Sequence, residues 1–143
     1  MAEISIDECF TRGMLKKVES EMAKIKGSIN LANHYLERSK GNIAVDYADV
    51  AFLMAYNAMF QLVRALLFDH GVKERSHYCA IKYLKKIYSK NREIAKYLEI
   101  IDNYRQNRHF IQYEGALCTI DEAKQALKDA EKFCSNVKRI LKM

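Results

Sequence analysis

The sequence predicts an all-α protein: an antiparallel up-and-down bundle of four long helices plus a short extra helix, forming one domain over residues 1–143. Three observations predict it. Proline is absent and glycine occurs five times, too little turn chemistry for a sandwich or barrel with many tight turns. Apolar residues recur at steps of three and four along most of the chain. No segment shows sustained alternation with a period of two.

The elements follow in order. Ser5 and Glu8 have capping-box spacing and start a short first helix. After Gly13, the apolar residues Leu15, Val18, Met22, Ile25, Ile29, Ala32 and Tyr35 form one stripe, which predicts a long helix with Lys16, Lys17, Lys24 and Lys26 on its wet side. Gly27 falls inside this pattern, where it allows a close helix contact or a bend. Gly41 marks the next break. From about Ala44 to Asp69 the chain is apolar nearly all round and is closed by Gly71, so this helix is expected to be the most buried. Ser76 can cap a third long segment carrying Cys79, Tyr83, Leu84 and Ile87. A further helix follows Asn91 with Ile94, Tyr97, Leu98, Ile101 and Tyr104; periodicity leaves open whether it reaches Tyr113. Thr119 and Glu122 form a second capping box before Ile120, Ala123, Leu127, Ala130, Cys134, Val137 and Leu141, which keep helical spacing to the end.

Composition narrows the function classes. Half of the residues are apolar and 29% are charged, which excludes a disordered chain. The formal net charge is +6, which suits a polyanion such as RNA, a nucleotide or a membrane surface, or simply solubility. Val50–Phe68 is long enough to span a bilayer, but Asn57, Gln61 and Arg64 within it argue for a buried helix of a bundle and against a membrane. The cysteines are Cys9, Cys79, Cys118 and Cys134. No pair has CxxC spacing, so they read as free thiols among apolar neighbours, in a reducing, cytoplasmic setting. No metal site and no cofactor is expected. Only Glu74 and His77 have the Glu-x-x-His spacing of a carboxylate di-metal bundle, and no second pair accompanies them. A phosphate-binding glycine loop and a nucleophile elbow are both absent from the sequence.

The segment Asp102–Gly115, DNYRQNRHFIQYEG, is the most informative. On a continuous helix Arg105, His109 and Tyr113 share one face, and Arg108 and Gln112 form the row beside them. Guanidiniums match phosphate oxygens in pairs, and ring residues stack on bases or move protons. A solvated basic face, with Tyr113 capping the core, is the alternative on spacing alone. Arg64 in the apolar helix calls for a carboxylate or backbone partner. Asn57 can hydrogen-bond the arginine helix or satisfy the core. His77 reads as a helix-start residue near the cleft.

Two segments together resemble a known family. Ala55–Leu84, AYNAMFQLVRALLFDHGVKERSHYCAIKYL, is similar to the small prokaryotic HEPN (higher eukaryotes and prokaryotes nucleotide-binding) proteins, and YRQNRHFIQYEG resembles their later arginine motif. The resemblance implies a bundle of four long helices and a homodimer whose arginine motifs face each other across a cleft. It also implies RNA or nucleotide binding, often in a toxin–antitoxin system with a partner nucleotidyltransferase. Catalytic members carry Arg, four to six residues, then His. Here Arg108 best matches the arginine, and Tyr113 stands five residues on. The expected binding residues are Arg105, Arg108, His109, Gln112, Tyr113 and Asn57. If the protein is a metal-independent ribonuclease, His109 is the acid or base, Arg108 and Arg105 hold phosphate and Tyr113 orients. A purely structural interaction bundle is the third reading.

Overall fold

The computed structural model describes residues 3–143. Six helices follow one another: α1 (Ile6–Thr11), α2 (Met22–Ala44), α3 (Ala48–Asp69), α4 (His77–Ile87), α5 (Arg92–Tyr113) and α6 (Ile120–Leu141). Two three-residue strands, β1 (Leu15–Lys17) and β2 (Val72–Glu74), pair antiparallel with Lys16 opposite Lys73. The protein is thus an all-α bundle. Its long helices are α2, α3, α5 and α6, and α5 runs unbroken through the arginine segment to Tyr113.

Local chemistry sets the helix starts. Ser5 and Thr119 each accept from the backbone N–H three residues on, while Glu8 and Glu122 reach back to the cap. Ser76 and Asn91 cap α4 and α5 with their side chains. The centre is α3, where Phe52, Tyr56, Met59, Leu62 and Leu66 are fully or almost fully buried. It packs most extensively against α2 and α6, and also against α5 and α4. The apolar span expected to be a core helix is therefore covered by protein on most sides. Ser39 Oγ on α2 donates to the Ala51 carbonyl at 2.8 Å, a buried polar tie between α2 and α3.

The structure corrects several expectations. Leu15 and Val18 do not open the second helix. Leu15 is buried in β1, and α2 starts only at Met22. Strands of three residues are too short to show a period. Val18 N–H donates to the Gly71 carbonyl at 2.9 Å. Gly71 has φ +68°, and a Cβ there would lie 2.9 Å from the Val18 oxygen, so only glycine lets this end of the ribbon close. Gly41 does not break α2, and α3 begins at Ala48, later than the expected start near Ala44. The chain instead reverses at Asp46, whose φ of 64° is tolerated because a short polar side chain can bond locally. Gly27 is exposed with no atom near a hypothetical Cβ, so it makes no close helix contact. The third segment, α4, has 11 residues and is short.

The cysteines also differ from expectation. Cys9 and Cys79 form a disulfide across a sequence separation of 70, a pairing that spacing rules for local motifs do not reach. It joins α1 to the first turn of α4, and both residues are fully buried. Only Cys118 and Cys134 are free, so the reading of a reducing setting from four free thiols loses half of its basis.

Two stability predictions follow from this packing. Cys9→Ala/Cys79→Ala is expected to lower unfolding free energy by about 2–4 kcal/mol, because the cross-link limits the unfolded chain. Urea denaturation of the oxidised protein and the double variant checks this, and equal midpoints would show that the bond contributes nothing. Ser39→Ala is expected to cost about 1 kcal/mol, the net worth of one buried hydrogen bond, read from the shift in urea midpoint at constant slope.

Candidate anion-binding cleft

The site is built where α3, β2, the start of α4 and α5 meet. Asn57, Gln61 and Arg64 repeat at steps of four and three, which places them on one side of α3. They line a cleft of about 210 Å³ together with Tyr35, Phe60, Glu74 and His77. Ser76 Oγ accepts from Cys79 N–H at 3.2 Å and starts α4, which makes His77 its first helical residue.

His77 is held from two sides. Its ring stacks on Phe60 with centroids 3.5 Å apart and planes within 9°. Its Nδ1 lies 2.7 Å from the Tyr56 hydroxyl oxygen. Burial pushes the Tyr56 hydroxyl up to about 12, against the opposing pull of Arg108 and Arg105. Tyr56 therefore keeps its proton. Burial first, and then the guanidiniums of Arg108, Arg105 and Arg64, push His77 down to about 4. The imidazole is neutral at pH 7. Hydroxyl and imidazole share one hydrogen bond, whose direction is set by the imidazole tautomer.

Three guanidiniums surround this pair. Arg108 on α5 stands 5.1 Å from the Tyr56 ring centre. Arg105, one turn earlier, stands 5.7 Å from the Tyr78 ring, and its Nε donates to Asp102 Oδ1 at 3.0 Å. Arg64 Nε lies 2.9 Å from Glu74 Oε1, the carboxylate partner its position in an apolar helix demands. The pair is close, but the N–H is not aligned along it. Among the described residues, three buried side-chain polar atoms lack a hydrogen-bond partner: Gln61 Oε1, Arg64 Nε and Arg108 Nε. All three belong to this cluster. Buried polar atoms are normally paired, so unpaired capacity concentrated at one place distinguishes the cleft from the rest of the molecule.

The structure divides the residues selected from the sequence. Arg105 faces Tyr78 on α4 and Arg108 faces Tyr56 on α3, and Asn57 lines the cleft without a hydrogen bond to α5 among the described residues. His109 is exposed; its Nε2 lies 3.6 Å from Glu114 Oε1 and its ring 5.4 Å from that of Tyr113. Tyr113 is 66% exposed and does not cap the core. Gln112 is exposed as well. Successive residues on a helix turn about 100°, so Arg108 and His109 cannot both point into one cleft of the same chain. Tyr56, Gln61 and Glu74 are additional members of the cluster. The steps from Asn57 to Gln61 and Arg64 were the available signal, and Ser76 placed His77 at the start of its helix. Among the described residues no group of His, Cys, Asp and Glu is arranged to hold a metal ion.

The protein is a small all-α bundle with a polar cleft on α3 and two arginines of α5 packed on Tyr56 and Tyr78 nearby. The family model described as HEPN domain matches residues 25–140, most of the chain, and the protein belongs to the HEPN family. The match begins within α2 and leaves α1 and β1 outside it. A comparison with curated proteins finds no match.

His77 makes folding sensitive to acid. Its pKa is lower in the folded chain than the ordinary 6.5, so the unfolded chain binds the proton more readily. This contribution to stability is complete above pH 6.5 and is lost as pH falls toward about 4. His77→Phe is expected to reduce the drop in Tm between pH 7 and pH 4.5. An unchanged drop would mean that His77 does not set the acid sensitivity.

Proposed function

We propose that this HEPN protein binds RNA or nucleotide phosphate beside this cleft, with Arg105 and Arg108 on the inner face of α5 as the principal phosphate ligands and Arg64, His77 and Asn57 along the cleft wall. The observation that carries the reading is Arg108 Nε, a buried donor without a hydrogen-bond partner, in a group of three guanidiniums around a neutral histidine. Guanidinium N–H groups are strong donors to phosphate oxygens. The functional unit in this reading is a homodimer, and its setting is a toxin–antitoxin or nucleotidyltransferase-associated system, as the family resemblance implies. The exposed Phe110 and Tyr113 on the outer face of α5 are consistent with a second copy there.

The contact between Tyr56 and His77 favours a second reading, metal-independent RNA cleavage. That chemistry needs a group to take the 2′-hydroxyl proton and another to protonate the leaving oxygen. His77 sits among the arginines and is the better placed histidine within one chain. A role for His109 requires a second copy to bring its exposed face to a cleft.

Binding of a short fluorescent RNA by anisotropy tests the first reading. Arg108→Ala is expected to weaken binding about 10- to 100-fold, the loss of a charge-assisted contact, and added salt is expected to weaken the wild type. Wild-type affinity in Arg108→Ala would overturn the assignment. Incubation with structured RNA in EDTA tests the second. His77→Ala is expected to abolish cleavage while weakening RNA binding less than Arg108→Ala does. Loss only in His109→Ala would move the chemistry to the outer face of α5.

A further inference from the structure

The segment outside the family match brings charge. Across the ribbon Lys16 lies directly opposite Lys73. Like charges in that position destabilise a strand pair. Among the described residues neither lysine forms an ion pair, and both are exposed. Arg75 follows β2, and Lys24 lies on the first turn of α2. These four cations line one cleft of about 500 Å³ over Phe10, Leu15 and Val18, with no acidic side chain in its lining. Among the described residues, Lys24 alone of these four has an acidic partner, Glu21 at 3.9 Å.

This cleft adjoins the arginine region. Arg75 N–H donates to the Met14 carbonyl at 2.8 Å. Met14 also lines a neighbouring cleft of about 450 Å³ with Arg12, Ser76, Tyr78, Arg105 and one acidic residue, Glu3, which is paired with Lys82 at 2.6 Å. Cationic side chains therefore continue from Arg105, paired with Asp102, past Arg12, paired with Glu8 at 3.0 Å, to Arg75, Lys73 and Lys16, which form no ion pair among the described residues. The disulfide to Cys79 and the pairing of β1 with β2 fix the segment that carries Arg12 and Lys16 to α4 and β2.

We propose that the β1–β2 ribbon is a second phosphate-backbone site, which holds an RNA strand as it runs out of the arginine cleft. The ligand is inferred from the arrangement. The cations are exposed and strung along a surface, which suits successive phosphates of a strand better than one enclosed small molecule. A like-charge pair retained at a cross-strand position is relieved when an anion lies between the two ammonium groups. The proposal extends the arginine-cleft reading, and length dependence separates the two.

The experiment titrates labelled RNAs of four and twelve nucleotides with the full-length oxidised protein at several salt concentrations. Lys16→Ser/Lys73→Ser is expected to weaken the twelve-nucleotide RNA about tenfold and to lower the slope of log K against log salt by about 1.4, two single-strand phosphates' worth. The four-nucleotide RNA is expected to bind as in the wild type. The double variant should melt at the same or a higher temperature, because a repulsive pair is gone, and this separates lost binding from lost folding. Unchanged affinity and slope for the long RNA would overturn the ribbon site. Should Arg108→Ala weaken both lengths while the lysine variant is inert, the arginine cleft stands without the ribbon. Should only the lysine variant matter, the ribbon stands and the arginine assignment falls. If the wild type binds neither RNA, both fall. Binding to phosphatidylserine vesicles that depends on Lys16 and Lys73, with no effect on RNA, would assign the surface to membranes and overturn the proposal.

Discussion

The burial of α3 constrains everything around it. A helix apolar on nearly all sides must be surrounded, and α2, α5, α6 and α4 do so. Its few polar side chains can then go only where the surrounding helices leave a gap. Asn57, Gln61 and Arg64 open onto such a gap beside the start of α4. A guanidinium so placed is costly unless it is paired. Glu74 supplies the charge, and Glu74 is held in position by β2 and its pairing with β1. The ribbon and the cleft are thus consequences of one requirement, that the polar edge of a core helix be satisfied.

Charge balance at the cleft points the same way. Arg64, Arg105 and Arg108 gather near His77, while the carboxylates that pair with them are Glu74 and Asp102. Three positive groups against two negative ones leave an excess of one. The protein lowers the cost by keeping His77 neutral, through burial and through the arginines themselves. Tyr56, too deeply buried to ionise, adds no negative charge but aligns the imidazole. In the proposed reading a phosphate would meet a field already positive, and little reorganisation would accompany its binding. A phosphate would also oppose the arginine field on His77 and raise its proton affinity, which couples proton uptake to occupancy.

Strong local signals made much of the fold legible. The capping boxes at Ser5–Glu8 and Thr119–Glu122 and the cap at Ser76 encode helix starts in a few residues, and the apolar span containing Phe52, Tyr56 and Met59 encodes burial by composition. What local patterns cannot encode was missed. The disulfide spans 70 residues. β1 and β2 have three residues each, and their pairing depends on Gly71 meeting Val18 from far along the chain. At Gly41 the helical surroundings override a weak breaker, whereas Asp46 reverses the chain without the glycine that periodicity reasoning looks for. The site divides on the same principle. Arg105 and Arg108 could be singled out because arginines cluster in one segment. The rotation of α5 about its own axis, which turns His109 away, is fixed by tertiary packing through Ile94, Tyr97, Leu98 and Ile101.

That rotation gives α5 two distinct faces. The inner one carries Arg105 and Arg108 against Tyr78 and Tyr56, and the outer one carries His109, Phe110 and Tyr113 in solvent. The inner face is anchored through α4, whose first turn holds both His77 and Cys79. Cys79 in turn holds α1, outside the region matched to the family. The first turn of α4 is therefore the point where the shared core and the additional segment meet. A change in the segment from α1 to β1 can alter the charge and shape beside the cleft while Tyr56, His77 and Arg108 stay in place. The physical separation is between a core that orients donors and an attached ribbon that sets what lies next to them.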